Sequence, residues 1–162
     1  MARVLITGMS GTGKSTVLGE LAARGHTTVD ADGDEWSHWG TGPDGEPDWM
    51  WREDRMAALL ADDAELFVAG TSVNQGRFYD RFDRVVLLSA PADVMLARLA
   101  FRTNNDYGKT EAQRADVLRN LAEVEPLLRR GADAEIDTTV SLEEVVEAVL
   151  RVVESEAGSE SG

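Results

Sequence analysis

Eight residues near the N-terminus follow the pattern G-x-x-x-x-G-K-[ST], whose residue types and spacing suit the binding of a nucleoside triphosphate. They are Gly8, Met9, Ser10, Gly11, Thr12, Gly13, Lys14 and Ser15. The three glycines let the backbone curl until its N–H groups point at an anion, and the following helix presents its positive end to the same group. Lys14 supplies a charge for the β- and γ-phosphates, and the Ser15 hydroxyl can coordinate magnesium. We therefore predict that this phosphate loop, extended to Thr16, binds ATP and Mg²⁺.

Short apolar segments alternate with helical patterns along the rest of the chain. The apolar segments are residues 4–7, 27–30, 66–69, 85–88 and 134–137. Because these segments are largely apolar rather than alternating, they fit strands that helices cover on both faces. We predict an α/β fold of the P-loop NTPase type, a three-layer sandwich with a five-stranded parallel sheet flanked by helices. Right-handed crossovers then bring the phosphate loop and the other strand ends to one edge, where the active site must lie.

Local signals predict where the later helices begin and end. Segments 110–113 and 141–144 have the spacing of capping boxes, each opening a helix. Pro126 should kink or interrupt the apolar stripe within residues 110–130.

Two segments depart from the alternation of strands and helices. Residues 33–49 contain four glycines, two prolines and three tryptophans, which is typical of an irregular loop. Residues 103–109 form a polar loop between two predicted helices. In a phosphotransferase such segments enclose the substrates, so we predict an acceptor-binding flap over residues 33–62 and a lid over residues 98–114.

The composition limits the compartment and the partners. With 162 residues, of which 43% are apolar, the chain fits one domain over residues 1–155, followed by a disordered acidic tail over residues 156–162. A formal charge of −14 disfavours nucleic acids and anionic membranes as partners. The chain has no cysteine and no apolar run as long as a membrane span, and residues 3–7 leave no room for a signal peptide. We expect a cytoplasmic monomer or small homo-oligomer that binds a small molecule or nucleotide.

The ordered set of motifs resembles that of the small P-loop kinases, namely the nucleoside monophosphate kinases together with the shikimate and gluconate kinases. After the phosphate loop come Asp30-Ala31-Asp32, Gly70-Thr71-Ser72, the lid segment and Asp137-Thr138-Thr139. The resemblance covers residues 3–153. It implies that the γ-phosphoryl group of ATP is transferred to a small acceptor with the help of Mg²⁺.

The resemblance also implies separate roles for the two aspartates of the second motif. Asp30 would support Mg²⁺ together with Ser15, and Asp32 would orient the acceptor hydroxyl and act in catalysis. Side chains at alternate positions point in different directions and can divide these tasks. Alternatively, these aspartates form a turn with Gly33 and Asp34 and have no catalytic duty.

The third predicted strand ends without the acidic residue of the common Walker B pattern, which leaves the support of Mg²⁺ to Asp30 or Asp32. Gly70 would let an acceptor approach the backbone. Asn74, Gln75 and Arg77 follow at a spacing that suits acceptor contacts. Gln75 and Arg77 are otherwise simply exposed helix residues.

Basic residues flank the predicted lid. Arg98 and Arg102 lie four positions apart and so share a helix face, from which both can reach the phosphates. Lid arginines of related kinases close over the transferring group. The resemblance therefore implies that Arg98, Arg102 and Asp137 bind the nucleotide and that Arg102 and Lys109 act in catalysis. The alternative is a solvated basic face that pairs with the abundant acids.

Aromatic and basic residues cluster in the predicted flap. The aromatic residues are Trp36, Trp39, Trp49 and Trp51. Their rings could stack on a base or sugar, and Arg52 and Arg55 could bind an acceptor phosphate through paired hydrogen bonds. Equally, the tryptophans could pack the flap itself.

Three functions remain open from the sequence. The arginines favour a nucleoside monophosphate as the acceptor, and this is the first choice. The paired aspartates favour a hydroxyl acceptor, as in a shikimate- or gluconate-type kinase. A third possibility is a nucleotide-dependent switch or binding protein with slow hydrolysis.

Overall fold

The fold of the computed structural model, which describes residues 3–9, 12–42, 45–61, 64–101 and 110–161, is built around a parallel sheet. Its elements are, in chain order, β1 (Arg3–Thr7), α1 (Lys14–Ala23), β2 (Thr28–Asp30), β3 (Ser37–Thr41), β4 (Pro47–Trp51), α2 (Glu53–Leu60), β5 (Leu66–Ala69), a 3₁₀ segment (Gln75–Arg81), β6 (Arg84–Ser89), α3 (Ala92–Phe101), α4 (Glu111–Glu123), α5 (Glu125–Gly131), β7 (Ala134–Asp137) and α6 (Leu142–Ser161).

The central sheet has five parallel strands in the order β2-β5-β1-β6-β7. This result confirms the predicted fold class and all five predicted strands. Because β1 lies in the middle with β5 and β6 on either side, its carboxyl end enters the phosphate loop at the centre of one sheet edge. The register pairs Ile6 with Ala69 and Ala69 with Asp30, so β1, β5 and β2 all end at that edge.

The core lies on both faces of the sheet. On one face, Val4 and Ile6 pack in a cluster with residues of α1 and α6. On the other face, Leu5 and Val68 pack in a cluster with Trp51 and with residues of α2. Successive residues of a strand point to opposite faces, so the uninterrupted apolar sequence of β1 supplies both layers.

The capping signals operate as predicted. Thr110 and Gln113 form a complete capping box at the start of α4, and the Ser141 hydroxyl accepts a hydrogen bond from the Glu144 N–H at the start of α6. Pro126 lies in the first turn of α5, and Val124 separates that helix from α4. The predicted interruption is therefore a break between two helices.

Two segments differ from their predicted structure. Residues 37–51 contain the antiparallel hairpin β3–β4 rather than an irregular loop, because Trp39 pairs with Trp49 and His38 with Met50 across it. Helix α6 continues to Ser161, through residues predicted to be a disordered tail. Adding residues to an existing helix is far less costly than starting one. Among the described residues, no helix is both long enough and apolar enough to cross a lipid bilayer.

Candidate functional site

A cavity of about 1130 Å³ opens at the sheet edge where β1, β2 and β5 end. The phosphate loop and the start of α1 form part of its wall, with Gly8, Thr12, Gly13, Lys14, Ser15 and Thr16. Asp30, Asp32 and Thr71 follow the neighbouring strands and line it as well. The structure thus brings together most of the predicted nucleotide-binding residues and both aspartates. The predicted Ser10 and Gly11 lie outside the described residues.

Glycine is required at two positions of the phosphate loop. A Cβ atom at Gly8 would lie 2.5 Å from the Leu88 carbonyl oxygen, so the loop can pass β6 only without a side chain. Gly13 has φ +97°, a conformation that side chains disfavour, and it leads directly into α1. The Lys14 ammonium group donates a hydrogen bond of 2.6 Å to the Gly8 carbonyl oxygen. Its position at the loop suits contact with phosphate oxygens.

Thr71 connects the phosphate loop with Asp32. The Gly8 N–H donates to Thr71 Oγ1 at 3.3 Å, and the Thr71 hydroxyl donates in turn to the Gly8 carbonyl oxygen. The Thr71 N–H donates to Asp32 Oδ1 at 3.0 Å. Three strand ends are therefore joined by hydrogen bonds, and the Asp32 carboxylate has a fixed position relative to the phosphate loop.

The Asp32 carboxyl group is largely buried, and burial raises its pKa above the usual range. The positive charge of Lys14 and the Thr71 N–H act in the opposite direction, and the negative charge of Asp30 adds a smaller rise. A carboxylate with a raised pKa in a cleft is a better proton acceptor than an exposed one. Asp30 itself is exposed, and its Oδ1 accepts the Asp32 N–H at 3.1 Å.

Arg98 is the predicted lid residue that the structure brings to the cavity. Its guanidinium group donates to Thr138 Oγ1 at 2.8 Å and to the Thr138 carbonyl oxygen at 2.6 Å. A Cβ atom at Gly13 would lie 3.9 Å from Arg98 Nη1, so the charge lies beside the phosphate loop. Arg102, Lys109 and the predicted loop 103–109 are outside the described residues.

Asp137 has a local role at the end of β7. Its Oδ1 accepts hydrogen bonds from the Thr139 N–H at 2.8 Å and from the Thr139 hydroxyl at 2.6 Å. These bonds hold the pKa of the exposed carboxyl below its usual range. Asp137 is not among the residues that line the cavity, and its carboxylate closes a turn at the end of β7, so its nucleotide contact stays a prediction.

Asn74 and Gln75 were predicted to contact the acceptor, but both side chains are buried inside the fold. The Asn74 side-chain amide accepts a hydrogen bond from the Trp51 N–H and donates one to the Trp51 carbonyl oxygen. These two bonds take the place of a neighbouring strand at the end of β4. The Gln75 amide bonds Thr7, the Ser72 N–H and Tyr79. Side-chain amides carry both donors and acceptors, so they satisfy backbone groups that no strand pairs.

The three predicted acceptor-binding arginines do not line this cavity either. Arg52 Nε donates to the Asp34 carbonyl oxygen at 3.3 Å, and Arg55 Nη1 donates to the Glu35 carbonyl oxygen. Both arginines therefore hold the turn that follows Asp32. Arg77 pairs with Glu53 at 3.0 Å, and its side chain is 71% exposed.

The four tryptophans divide between packing and the cavity. Trp51 is fully buried and Trp36 packs against the same cluster, so these two stabilise the fold. Trp49 lines the cavity, and its Nε1 donates to the Asp32 carbonyl oxygen at 2.9 Å. Trp39 is 70% exposed and meets Trp49 edge to face, with ring centroids 5.5 Å apart.

Gly70 lies where two buried polar atoms converge. A Cβ atom there would lie 3.1 Å from Asp32 Oδ1 and 3.2 Å from Trp51 Nε1. The Trp51 Nε1–H is buried and has no hydrogen-bond partner among the described residues. Leaving such a donor unpaired costs on the order of 1–3 kcal/mol. Gly70 is itself buried and does not line the cavity, and its lack of a side chain lets Asp32 and Trp51 pack closely against the backbone.

Ser15 and Asp30 could hold Mg²⁺ at the mouth of the cavity. Both line it, and a hydroxyl and a carboxylate are the hard oxygen ligands that this ion prefers. Among the described residues, no group of three or more His, Cys, Asp or Glu side chains could hold a metal ion. An ion that arrives with a nucleotide needs only one or two protein ligands, because phosphate oxygens and water supply the rest.

Sequence reasoning gave no site role to Thr71 and did not consider Asp48. Thr71 could have been found from its place directly after the third strand, at the edge where the other strands end. Asp48 follows a proline within the segment predicted as irregular, so only the hairpin could place it at the cavity.

Comparisons with known proteins agree with this architecture. The family model of the AAA domain matches residues 4–119. No match to a curated protein sequence was found. Solved structures align over almost the whole chain at low sequence identity.

Two of the similar structures are shikimate kinases. The enzyme from Acinetobacter baumannii, in complex with shikimate, is 21% identical with a TM-score of 0.69, and the alignment covers 96% of this chain and 94% of that one. The enzyme from Bacteroides thetaiotaomicron is 18% identical with a TM-score of 0.70, covering 94% and 98%. The deoxyadenosine kinase from M. mycoides, with bound dATP, is 12% identical with a TM-score of 0.63, covering 95% and 100%. At these identities the likeness concerns the fold.

Proposed function

The chain belongs to the AAA domain family and has the fold of the small P-loop kinases, and we propose that it transfers the γ-phosphoryl group of ATP to a hydroxyl group of a small acceptor. The observation that carries this proposal is the Asp32 carboxylate. It is half-buried at the cavity, its pKa is raised, and it is bonded through Thr71 to the phosphate loop. A carboxylate held at the phosphoryl-donor site in this way can orient and deprotonate a hydroxyl group.

In the proposed reaction, the acceptor hydroxyl oxygen attacks the γ-phosphorus and forms the new P–O bond. The bond between the γ-phosphorus and the bridging oxygen breaks, and ADP leaves with that electron pair. The hydroxyl proton passes to Asp32. Lys14 and Arg98 lie at the phosphate loop, where they would offset the charge on the phosphate oxygens. Mg²⁺ bound with the nucleotide at Ser15 and Asp30 would add a further positive charge there.

A hydroxyl acceptor fits the cavity better than the phosphate group of a nucleoside monophosphate. The arginines that would have bound such a phosphate, Arg52, Arg55 and Arg77, bond to backbone carbonyl oxygens or to Glu53 instead. The Asp32 carboxylate lines the cavity, and a carboxylate accepts a hydrogen bond from a hydroxyl group but repels a phosphate group.

The test is a screen for ATP-dependent phosphorylation of small alcohols, sugars, nucleosides and nucleoside monophosphates, read by mass spectrometry. We expect a phosphorylated product from a hydroxyl acceptor, together with ATP consumption that is much faster in its presence than in its absence. A product from monophosphates alone would refute the hydroxyl assignment. Stimulation by a protein partner, with no small molecule effective, would instead support the nucleotide-dependent switch.

A further inference from the structure

A buried side-chain amide lies beneath the edge of the sheet where the site is formed. Gln75 begins the 3₁₀ segment, is only 3% exposed and is not among the described residues that line the cavity. Its amide group forms hydrogen bonds with Thr7, Ser72 and Tyr79. Thr7 directly precedes the phosphate loop, and Ser72 directly follows Thr71. The amide therefore bonds to both segments that carry the site.

The orientation of the Gln75 amide follows from its partners. The Ser72 N–H can only donate, and it meets the amide oxygen at 2.8 Å. The amide nitrogen therefore points the other way, where it donates to the Tyr79 hydroxyl at 2.8 Å and to Thr7 Oγ1 at 3.1 Å. A flipped amide would place two donors against each other at Ser72. The Thr7 hydroxyl thus accepts a hydrogen bond from Gln75.

The Thr7 hydroxyl group continues this chain of hydrogen bonds to Thr71. Thr7 is fully buried, and the two threonine oxygens are 3.2 Å apart. The Thr71 hydroxyl donates its single proton to the Gly8 carbonyl oxygen, so its oxygen must accept from Thr7. The Gln75 amide oxygen is a poorer acceptor for Thr7, because it is 3.5 Å away and already accepts the Ser72 N–H. Donation therefore runs in one direction, from the Gln75 amide to the Gly8 carbonyl oxygen.

Two functional groups of the site are bonded to the far end of this chain. The Gly8 carbonyl oxygen also accepts the Lys14 ammonium group at 2.6 Å, and the Thr71 N–H donates to Asp32 Oδ1 at 3.0 Å. Hydrogen bonds that follow one another in a buried chain strengthen each other. A threonine whose hydroxyl group is bonded on both sides also holds its own N–H in place. The lysine and the carboxylate are thus aligned with the help of side chains that lie behind them.

We propose that Gln75 and Thr7 are positioning residues for phosphoryl transfer that act through the Thr71 hydroxyl group. Through it they hold the phosphate loop and the proton-accepting carboxylate in alignment. In-line transfer is sensitive to small displacements of the reacting groups, so loosening this chain should lower turnover more than nucleotide binding. The expected change in turnover rests on the proposed function, whereas the effect on the Thr71 and Gly8 N–H groups can be measured without an acceptor.

The experiment removes single hydroxyl groups on either side of the Gln75 amide. Thr7→Val has nearly the same shape but cannot bond Thr71, and Thr7→Ser restores the hydroxyl group. Tyr79→Phe is the matched control, because it also removes a hydroxyl group that accepts from Gln75 but leaves the bond between the threonines intact. With an acceptor from the screen, Thr7→Val should lower kcat about tenfold and leave the KM for ATP nearly unchanged. Thr7→Ser and Tyr79→Phe should keep the kcat of the wild type.

A second comparison tests whether Thr7 acts through Thr71. Thr71→Val removes the hydroxyl group in the middle of the chain and keeps the backbone N–H that bonds Asp32. In this background, adding Thr7→Val should lower kcat no further, whereas two independent effects would multiply. Gln75→Leu should lower kcat at least as much as Thr7→Val, because it also removes the acceptor of the Ser72 N–H.

Amide hydrogen exchange measures the same alignment without catalysis. The Gly8 N–H donates to Thr71 Oγ1, and the Thr71 N–H donates to Asp32. In Thr7→Val both N–H groups should exchange about tenfold faster than in the wild type, because the bonds that protect them open more often. Thr7→Ser and Tyr79→Phe should leave both rates unchanged.

The possible results separate this inference from the proposed function. An unchanged kcat in Thr7→Val, a loss that Thr7→Ser does not restore, or an equal loss in Tyr79→Phe would overturn the positioning role and leave the kinase function standing. If the wild type phosphorylates no acceptor, the proposed function fails and exchange alone decides. Faster exchange in Thr7→Val only would then support the hold of Thr7 on the phosphate loop, and equal exchange in all variants would overturn it.

Discussion

Replacement of Asp32 by asparagine separates a catalytic carboxylate from a structural one, because the two roles predict opposite changes in stability. The asparagine side chain has nearly the same shape, and its oxygen can still accept the Thr71 N–H that Asp32 accepts at 3.0 Å. The substitution therefore removes the charge and the ability to take up a proton. Loss of general-base catalysis typically lowers turnover by about 10²- to 10⁴-fold. We expect kcat to fall in this range, with little change in the KM for ATP.

The effect on stability follows from the direction of the pKa shift. Burial raises the pKa of the Asp32 carboxyl more than Lys14 and the Thr71 N–H lower it. The carboxyl group therefore favours folding while it is protonated, below its unfolded pKa, and this contribution is lost as the pH rises through the raised folded pKa. Each unit of such a shift corresponds to about 1.4 kcal/mol, and 1 kcal/mol changes the Tm of a chain of this size by about 2–4 °C. Asparagine carries no charge at any pH, so it avoids the loss of stability that ionisation of the Asp32 carboxyl group causes.

The assay combines steady-state kinetics with thermal unfolding at several pH values. Near pH ~8 the variant should have a higher Tm than the wild type. The difference should narrow as the pH falls toward the ordinary pKa range of an aspartate carboxyl. Asp34→Asn is the control and should change neither quantity, because Asp34 is exposed and does not line the cavity. Unchanged kcat together with a lower Tm at neutral pH would refute the reasoning and favour the turn interpretation of the two aspartates.

Three further substitutions test other parts of the structure. Lys14→Ala should lower turnover by about 100-fold or more while the circular dichroism spectrum stays the same, and near-normal turnover would contradict the phosphate-loop assignment. Gly8→Ala should lower the Tm, because the new Cβ atom would lie 2.5 Å from a carbonyl oxygen of β6. Gly19→Ala is the control: its Cβ atom would meet no other atom within 4 Å, and the better helix former should raise the free energy of unfolding by about 0.5–1 kcal/mol. Arg77→Ala should leave the KM for the acceptor unchanged, because this exposed guanidinium group pairs with Glu53. A several-fold rise in that KM would show that Arg77 contacts the acceptor.

The fold could be predicted because its signals are local. A strand covered on both faces needs an apolar side chain at nearly every position, and β1, β5 and β6 have this composition. The phosphate loop carries its own geometric requirement at Gly8 and Gly13, which is visible in the sequence as glycine. The hairpin β3–β4 was missed because its strands contain Gly40 and Pro47, which argue against strands when read alone.

The acceptor side of the site could not be predicted to the same extent. Whether an arginine faces a cavity or a carbonyl oxygen depends on how the chain turns several residues away. Arg52 and Arg55 bind the turn after Asp32 because that turn comes back toward the start of α2, and no spacing in the sequence encodes this. Asn74 and Gln75 likewise have the chemistry of ligand-binding residues, yet they satisfy groups that lie far away in the sequence.

The hydrogen bonds of Thr71 suggest how chemistry and specificity are divided in this chain. Because Thr71 bonds both Gly8 and Asp32, the phosphate loop and the proton-accepting carboxylate belong to one rigid part of the sheet edge. The bonds that align them, from Gly8 to Thr71 and from Thr71 to Asp32, involve no hairpin residue, and the Trp49 indole of the hairpin bonds to the Asp32 backbone carbonyl oxygen rather than to its carboxylate. A change of residue on the hairpin can therefore alter which acceptor is bound while the geometry of phosphoryl transfer is kept. This is why substitutions at Asp32 should lower turnover with every acceptor, rather than change the ratio between acceptors.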